Sequence, residues 1–380
     1  MNFNLTDEQA MVLKMVRDLA QNEIAPRAAY IDETGEFPGE NIEALNELGL
    51  MGMTIPTEYG GSFMDNLSYT MAVEEISKAC ASTGAVMSIH SSTTCNAIVT
   101  FGTEEQKHQY LPRLAGEGKV AAFALTEADS GSDAGSIKTN AVLEGDTYIL
   151  NGTKCFISNS GVADVYTIFA KTDRNSGVKG ISAFIVEKDT PGLTIGKKEN
   201  KMGIRGSITC ELIIEDLRIP KKNLLGKEGQ GFKIAMVALD SARIGAGAQA
   251  VGIAQAAYET ALQYAKERKQ FGRPIIDFQG IGFMLADMAM QIEAARLLVY
   301  KAASLKDEGK PFGMEAAMCK TFASDMSVKV ALDAIQVLGG YGYMKEYPTE
   351  RYLRDAKITQ IYEGTNQIQR VVICNYLKRL

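Results

Sequence analysis

The chain has 380 residues, enough for two or three domains of about 150 residues each and for a large apolar core. Its 46% of hydrophobic and 23% of charged residues are ordinary values for a globular protein. The formal net charge of −6 argues against nucleic-acid binding, which requires a basic surface. No apolar run approaches the ~18 residues that span a bilayer, so membrane insertion is not expected.

Cysteine, histidine and glycine patterns exclude several further classes of enzyme. The six cysteines are far apart and form no CxxC pair, so neither a disulfide framework nor a metal site is expected. Only His90 and His108 are present, and neither lies in a GxSxG or HExxH context. The chain also lacks a GxxxxGK(S/T) phosphate loop and a GxGxxG turn. Its first residues have no basic start followed by an apolar stretch, so we expect a cytoplasmic protein.

Residues 1–118 have the pattern of a helical domain. Thr6 and Gln9 form a capping box, and the apolar residues that follow recur at helical spacing. Further helices are predicted at 41–48, 67–78, 84–101 and 104–114. Residues 119–225 instead alternate β-branched or aromatic segments with turn residues. Antiparallel strands joined by turns are predicted at 148–150, 165–169, 181–186 and 210–214.

Helical periodicity returns in residues 226–380. Long amphipathic helices of the kind that pack as a bundle are predicted at 232–266, 278–306 and 314–338. The segment Gly309-Lys310-Pro311 is a stop signal between the second and the third. The predicted order is therefore helices, a β domain and a helical bundle, which is an α+β fold that is mainly α.

One carboxylate near the C-terminus is a candidate general base. The stretch Tyr362-Glu363-Gly364-Thr365 places it between an aromatic ring and a glycine. Glycine lets the backbone turn sharply and a ligand approach closely. Partial burial would raise the pKa of the carboxyl toward neutrality, as a general base requires. The alternative interpretation is an ordinary acidic loop residue before a helix.

Four other segments combine short polar side chains with glycines, where a flat polar ligand could lie. Each one alone is more typical of a loop or a helix cap. The segments are 123–133, 156–159, 267–272 and 336–342.

In this order along an α–β–α chain, the motifs resemble the acyl-CoA dehydrogenase family over essentially the whole length. The short-chain, butyryl-CoA-specific bacterial members are the most similar. The resemblance implies an N-terminal helical domain (1–118), a middle β-barrel-like domain (119–225) and a C-terminal four-helix bundle (226–380). It also implies a role in fatty acid metabolism, FAD at a subunit interface, a homotetramer built as a dimer of dimers, and electron-transfer flavoprotein as redox partner.

The resemblance assigns roles to individual residues, with Glu363 as the catalytic base and no metal. The residues expected to bind FAD are Phe123, Leu125, Thr126, Ser132, Phe156, Ile157, Ser158, Arg268, Gln270, Phe271, Gln279, Gln336, Val337, Leu338, Gly339, Gly340, Thr365, Asn366 and Gln367. The residues expected to contact an acyl-CoA or enoyl-CoA substrate are Ser132, Asp240, Arg243, Tyr362 and Gly364. Without the resemblance, Asp240 and Arg243 are more simply an exposed ion pair one helical turn apart.

The chain departs from the family pattern at three places. Ala128-Asp129 replaces a common proline-containing turn, which changes the shape of the loop. The family often has Trp and Thr where this chain has Phe156 and Ser158, although Ser158 keeps a hydroxyl near the expected position of flavin N5. In isovaleryl-type members a glutamate at the position of Ala242 supplies the base, and the alanine here leaves that role to Glu363.

The expected reaction breaks two C–H bonds of an acyl thioester: Glu363 removes the α-proton while the β-hydride moves to the flavin. The reverse direction reduces an enoyl-CoA. The closed end of the acyl pocket is expected to be formed by Gly84, Val86, Met87 and His90. Glutaryl-CoA dehydrogenases have an arginine at the position of Gly84, so a dicarboxylic substrate is not expected.

His90 is open to two interpretations. It is either a hydrogen-bonded helix residue or a contact for a polar group on the acyl chain, such as the ring of a hydroxycinnamoyl-CoA. The alternatives to a short-chain dehydrogenase are therefore an aryl-acrylyl-CoA reductase, an acyl-CoA oxidase and a non-catalytic flavin-binding scaffold.

Overall fold

The computed structural model describes residues 5–379. The expected lack of a targeting sequence partly depends on the first four residues, which lie outside the described part. The Thr6 hydroxyl accepts the Gln9 N–H (3.2 Å) and the Gln9 side chain accepts the Thr6 N–H (3.0 Å), which confirms the capping box. The N-terminal helices are α1 (Asp7–Leu19), α2 (Ala25–Thr34), α3 (Gly39–Glu47), α4 (Asn66–Ala79), α5 (Ala81–Ile89), α6 (Asn96–Phe101) and α7 (Glu104–Gly116).

The helical segment predicted at 84–101 is confirmed, but it is not a regular α-helix throughout. A π-helical segment, His90–Cys95, separates α5 from α6. Within it, the Ser92 hydroxyl donates to the carbonyl oxygen of Ser88 (2.6 Å), and the Thr93 hydroxyl also donates to a carbonyl four residues earlier. Such side-chain bonds compete with the regular backbone ladder and favour a local widening of the helix.

The middle part is a mixed sheet with strand order β6-β7-β3-β2-β4-β5-β8. The strands are β1 (Ala121–Ala124), β2 (Asn140–Glu144), β3 (Thr147–Ser158), β4 (Val165–Lys171), β5 (Ile181–Glu187), β6 (Leu193–Lys198), β7 (Thr209–Pro220) and β8 (Leu224–Leu225). The four predicted strands lie in two antiparallel pairs, β3 with β7 and β4 with β5, as expected. In contrast, β1 pairs in parallel with β4. The sequence does not predict β1 because three of its four residues are alanines, which have low strand propensity.

The C-terminal part is helical apart from a small hairpin between α8 and α9. Its elements are α8 (Gly231–Glu267), β9 (Lys269–Gln270), β10 (Arg273–Pro274), α9 (Gln279–Asp307), α10 (Gly313–Leu338), α11 (Thr349–Thr359) and α12 (Asn366–Leu377). The three long predicted helices and the stop between α9 and α10 are confirmed. Helices α11 and α12 are not predicted from the sequence. None of the helices formed by residues 5–379 combines the length and the apolar character that a membrane crossing requires.

Helix α8 lies at the centre of the helical parts. It packs against α9 and α10 and also against α4 and α5, so buried side chains of both parts form one core. Glycines permit this close approach: a Cβ on Gly252 would lie 2.2 Å from the carbonyl oxygen of Glu74, and one on Gly245 would lie 2.3 Å from Ser88 Oγ. Helix α8 thus holds the N-terminal helices beside the C-terminal turn that contains Glu363.

Candidate active site

Glu363 lies in the turn at residues 360–365 that joins α11 to α12. Its φ of 56° and the φ of 91° at Gly364 place both residues in the left-handed region. For a residue with a Cβ this conformation costs on the order of 1–3 kcal/mol and persists only where the surroundings enforce it. A Cβ at Gly364 would lie 2.6 Å from the side-chain nitrogen of Gln369. The turn therefore requires glycine at position 364 and strains the backbone of the candidate base.

Buried polar side chains from α10 and α12 enforce this conformation. Lys320 Nζ donates to the carbonyl oxygen of Gly364 (2.8 Å) and to Asn366 Oδ1 (2.9 Å). Gln369 Nε2 donates to the carbonyl oxygens of Glu363 (3.0 Å) and Gly364 (2.9 Å). The backbone carbonyls of Glu363 and Gly364 are thus both held by buried side chains of α10 and α12.

The surroundings of Glu363 give its carboxyl the proton affinity of a base that works near neutral pH. Burial raises its pKa to about 7, against the opposing positive charges of Arg243 and Lys320. A carboxyl with this pKa is partly ionised at pH 7 and still has a strong affinity for a proton. The raised pKa agrees with what a general base requires, and the role of Glu363 as that base stays a prediction.

Helix α8 contributes a cation beside the turn. The Arg243 guanidinium contacts Asp240 Oδ1 at 2.5 Å, one helical turn away. The Arg243 side chain is only 5% exposed, and its Nε has no hydrogen-bond partner within residues 5–379. The simpler interpretation of an exposed ion pair is therefore wrong. Buried polar atoms in proteins are normally hydrogen-bonded, so this buried donor is unusual in having no partner within the chain.

The interior side of the turn is closed by a chain of hydrogen bonds. The Tyr362 hydroxyl donates to Gln249 Oε1, and Gln249 Nε2 donates to the carbonyl oxygen of Ala81 (2.9 Å). Gln249 is completely buried. Next to it, the hydroxyl of Tyr69 on α4 donates to the carbonyl oxygen of Ser88 (3.4 Å). Side chains of α4 and α8 therefore fill the space beside the candidate base.

The sheet brings two of the predicted FAD-binding segments together. The Cys155 N–H donates to the carbonyl oxygen of Thr126 (3.0 Å), and Lys154 Nζ donates to that of Leu125 (3.1 Å), so 123–126 lies beside 156–158. Phe156 has a φ of 57° and is 64% exposed. Ile157 is buried, and its carbonyl oxygen accepts the hydroxyl of Ser160 (2.7 Å). An exposed ring on a left-handed backbone beside Thr126 is a surface on which a flat aromatic cofactor can stack.

A second group of predicted residues lines a shallow pocket of about 530 Å³ between the end of α8 and the end of α10. Arg268 lies over the ring of Tyr341, with 5.7 Å between the guanidinium carbon and the ring centroid. A Cβ at Gly339 or Gly340 would meet no atom within 4 Å, so the backbone there is open. Lining residues shared with the sequence prediction are Arg268, Gln270, Val337, Leu338, Gly339 and Gly340.

Five other predicted residues lie on the surface of the chain and do not line this pocket. The most exposed is Phe271, at 94%, at the tip of the β9–β10 hairpin. The five are Ser132, Phe271, Gln279, Gln336 and Gln367. Their expected cofactor or substrate contacts stay predictions.

Three residues that hold the turn escape the sequence analysis: Lys320, Gln369 and Gln249. The structure places all three at complete burial. For Lys320 a signal is present, because it occupies the helical face that otherwise carries the buried Ala316, Ala323 and Ser327. A lysine on the apolar face of a helix indicates a specific buried partner.

Comparisons with known proteins identify the family. Models of the acyl-CoA dehydrogenase N-terminal, middle and C-terminal domains match residues 6–118, 122–217 and 229–377. The short-chain specific acyl-CoA dehydrogenase of Clostridium acetobutylicum is 53% identical over 379 residues, with 100% of both chains covered. The solved structure of butyryl-CoA dehydrogenase from Megasphaera elsdenii has a TM-score of 0.98, 50% identity and full coverage of both chains.

A third similarity is to a chain in a structure described as the electron transferring flavoprotein of Acidaminococcus fermentans, from work towards a mechanism of flavin-based electron bifurcation. That chain has a TM-score of 0.99 and 53% identity, with 100% of both chains covered.

The chain therefore belongs to the acyl-CoA dehydrogenase family, which confirms the resemblance and the predicted fold class. It is an oxidoreductase that acts on acyl-CoA thioesters, and its cofactor is FAD. The structure fits this cofactor: the exposed Phe156 ring offers a stacking surface, and the pocket beside Arg268 offers a fixed positive charge and open glycine backbone for a pyrophosphate.

Proposed function

We propose that the protein catalyses the α,β-dehydrogenation of a short-chain acyl-CoA thioester, or the reverse reduction of an enoyl-CoA, with Glu363 as the base. The observation that carries the proposal is the carboxyl with a pKa of about 7 in a strained turn whose carbonyls are held by Lys320 and Gln369. The short-chain and butyryl-CoA-specific relatives support the substrate class.

The proposed chemistry separates one proton and one hydride. The Glu363 carboxylate takes the α-proton, and bound FAD supplies the acceptor for the β-hydride, so two electrons leave the substrate with that hydrogen. Negative charge then develops on the thioester oxygen and requires hydrogen-bond donors. The backbone N–H of Glu363 donates to no acceptor within residues 5–379 and is free to bind that oxygen. One residue is thus proposed to supply both the base and a donor for the oxyanion.

Residues of α8 and of the turn are proposed to position the substrate. Arg243 has a free Nε beside Glu363, and Asp240 fixes its guanidinium from one turn away. Tyr362 and Gly364 flank the base in the chain, where they would lie against the thioester arm. Ser132 is exposed on the loop after β1 and is proposed to contact substrate and cofactor.

The packing beside the base supports a short acyl group. Gln249 is fixed at both ends of its amide, by Tyr362 and by Ala81, and cannot move aside without breaking two hydrogen bonds. Each such bond contributes about 0.5–1.5 kcal/mol, and a buried amide left unpaired costs more. An acyl chain that extends past this side chain would have to displace it.

The structure confirms that His90 is a hydrogen-bonded helix residue. Its Nδ1 accepts the N–H of Ala121 (3.1 Å), so Nε2 carries the proton and donates to the carbonyl oxygen of Leu114 (3.1 Å). Burial lowers the pKa of His90 to about 4, so the ring is neutral. Both ring nitrogens are occupied by the backbone, which removes the observation that favoured an aryl-acrylyl-CoA substrate. A Cβ at Gly84 would lie 2.0 Å from Ser77 Oγ, so an arginine would not fit here either.

The proposal extends to electron transfer and assembly. We propose that electron-transfer flavoprotein exchanges the electrons, which the similarity to the Acidaminococcus fermentans structure supports. A homotetramer built as a dimer of dimers, with FAD held across an interface, would cover the 94% exposed ring of Phe271 and complete the site around Gln279, Gln336 and Gln367. Thr365 would face the same cofactor, whereas Asn366 is buried and its amide is bonded to Lys320, Ser324 and Asp325. Five buried cysteines, all with free thiols, suit work in the cytoplasm.

Three acyl thioesters and one variant test the function. Oxidised flavin is followed during anaerobic addition of butyryl- or octanoyl-CoA, and reduced flavin during anaerobic addition of hydroxycinnamoyl-CoA, which can only accept electrons. Butyryl-CoA is expected to change the flavin absorbance fastest. Glu363→Gln is expected to keep its flavin and lose about 10²–10⁴-fold in turnover. Glu144→Gln, an exposed carboxylate on β2, is the matched control and should behave as wild type.

Each alternative corresponds to a distinct result. A preference for octanoyl-CoA contradicts the short-chain proposal, and a preference for hydroxycinnamoyl-CoA favours the aryl-acrylyl reductase. One peroxide formed per turnover in air identifies an oxidase. Unchanged turnover in Glu363→Gln with flavin retained removes the enzymatic role of this residue.

A further inference from the structure

We propose that Lys320 is a positioning residue for the reaction: it fixes the peptide that joins Gly364 to Thr365, directly after the catalytic base, and it places a cation near the Glu363 carboxyl. The inference deepens the proposed function and rests on the role of Glu363 as base.

The first observation is the placement of Lys320. It lies on α10, is completely inaccessible to solvent, and gives its two hydrogen bonds to the carbonyl oxygen of Gly364 and the amide oxygen of Asn366. The other completely buried lysine, Lys154, pairs with the carboxylate of Glu127 at 2.7 Å. A buried ammonium whose hydrogen bonds go only to neutral oxygens is costly. The position of this side chain therefore requires an explanation other than the stability of an ion pair.

The second observation is geometric. A peptide group is planar and trans, so a hydrogen bond to its carbonyl oxygen also fixes the direction of the following N–H. Gln369 fixes the carbonyl of Glu363 and shares that of Gly364 with Lys320. Together they hold the left-handed backbone that aims the Glu363 side chain. Of these two anchors, only Lys320 can carry a charge.

The third observation concerns the charged groups around the base. Glu363 faces Arg243 of α8 and Lys320 of α10, and both cations favour its ionised form. Two tyrosines also lie near the carboxyl: Tyr362 on the same turn and Tyr69 on α4. Burial raises the pKa of both phenols, and the Glu363 carboxylate raises it further. Guanidinium groups keep their proton in proteins, so of these two cations only the ammonium of Lys320 can change its charge state.

The groups around Lys320 complete this picture. Burial lowers its pKa to about 7, with Glu363 as the main opposing influence, Arg243 acting with the burial and Asp325 against it. The carboxyl and the amine therefore titrate in the same pH range, and their protonation steps belong to the pair. When Lys320 holds its proton, the carboxylate form of Glu363 is favoured, and when Lys320 loses it, Glu363 binds a proton more tightly.

Two substitutions separate the hydrogen bond from the charge. Lys320→Met has a similar length but neither a donor nor a charge, whereas Lys320→Gln keeps a neutral donor. Lys306→Met is the matched control, because burial also lowers the pKa of Lys306, to about 8, but the carboxylate it faces is Asp307. Flavin content and thermal unfolding midpoint are measured for every variant.

Two independent readouts follow the base. The rate of flavin reduction by butyryl-CoA is measured against pH in anaerobic rapid mixing. Without substrate, infrared spectra follow the protonated-carboxyl band that disappears in Glu363→Gln. Lys320→Met is expected to raise the apparent pKa of Glu363 by about one unit in both readouts. It should also lower kcat at pH 7 about ten-fold or more and change KM less than about three-fold, because the misdirected base affects the reaction step.

Lys320→Gln is expected to recover part of kcat while the raised pKa remains. If both variants unfold at a lower temperature while Glu363 keeps its wild-type apparent pKa, Lys320 is only a structural anchor. That result would overturn the inference. If Lys320→Met does not fold, the titration of Lys320→Gln decides the question. The infrared band is read without turnover, so it reports on Lys320 even if Glu363→Gln turns over normally and the proposed role of the base fails.

Discussion

Replacing Glu363 by Gln is expected to stabilise the protein at alkaline pH while it removes activity. Glutamine has nearly the shape of glutamate and cannot ionise. In the folded chain burial raises the pKa of Glu363 to about 7, whereas the ordinary value is 4.5. The ionised carboxylate is therefore less favourable in the folded state than in the unfolded state, and the wild-type protein loses free energy of unfolding when this group ionises.

The size of the effect follows from the two pKa values. Their separation corresponds to about 3 kcal/mol, since one pKa unit is about 1.36 kcal/mol. Because the folded-state pKa is the higher one, the stability that the neutral carboxyl provides is fully present below pH 4.5 and is lost as the pH rises through 7. The difference between Glu363→Gln and wild type is therefore near zero at pH 4.5 and reaches about 3 kcal/mol at pH 8.5.

Thermal unfolding from pH 5 to pH 9 with saturating FAD is the appropriate assay. The midpoint of Glu363→Gln should exceed that of wild type by several degrees at pH 8.5 and converge with it at pH 5. Glu144→Gln, at an exposed site on β2, controls for the loss of one charge and should follow the wild-type curve. Midpoints of wild type and Glu363→Gln that run parallel over the whole range would refute the reasoning and mean that the carboxyl is not held in a desolvated position.

Three further substitutions test other parts of the structure. Gly364→Ala should lower the free energy of unfolding by about 1–3 kcal/mol and remove most of the turnover, because its Cβ would lie 2.6 Å from Gln369 Nε2 on a left-handed backbone. Denaturant unfolding measures the first effect and steady-state kinetics the second, and a wild-type kcat would contradict the strain argument. His90→Leu should cost about 2–4 kcal/mol at pH 8 through two unpaired backbone groups, without a change in chain-length preference. The cost of His90→Leu should shrink at pH 5. Burial lowers the pKa of His90 to about 4 in the folded protein, so wild type loses free energy of unfolding below pH 6.5, where the imidazole of the unfolded chain binds a proton. A cost that does not change with pH would mean that the ring is protonated in the folded state. Arg296→Met should cost about 3–5 kcal/mol, since it leaves the buried Glu74 without the guanidinium that lies 2.8 Å away, and adding Glu74→Gln should recover part of that loss in a double-mutant cycle.

The long elements of this fold are readable from the sequence because their periodicity extends over many residues. The three helices α8, α9 and α10 and the four strongest strands follow directly from it. Helix α11 is harder to read because five of its eleven residues are charged and its apolar face, which includes Tyr352, Leu353 and Ala356, is short. The π-helical segment depends on hydroxyl contacts to backbone carbonyls, which no pattern of apolar residues reveals.

The candidate site is predicted where chemistry depends on local residues and missed where it depends on tertiary contacts. Glu363 and Gly364 are predicted from the sequence because the order of motifs along the whole chain gives a role to a pair that alone would be an ordinary acidic loop. Lys320 is 43 residues earlier and Gln249 lies on another helix, so only the folded chain brings them to the turn. Exposed residues such as Phe271 require a second chain or the cofactor, and their roles remain proposals.

The central position of α8 has a consequence for attempts to dissect the protein. Because its buried face is shared between α4 and α5 on one side and α9 and α10 on the other, a fragment that begins at residue 226 would present a wide apolar strip to water. Such a fragment is expected to aggregate, and adding back residues 1–118 as a separate polypeptide is expected to rescue its solubility. Replacing residues 1–118 by the corresponding part of a relative would accordingly require matching substitutions along α8.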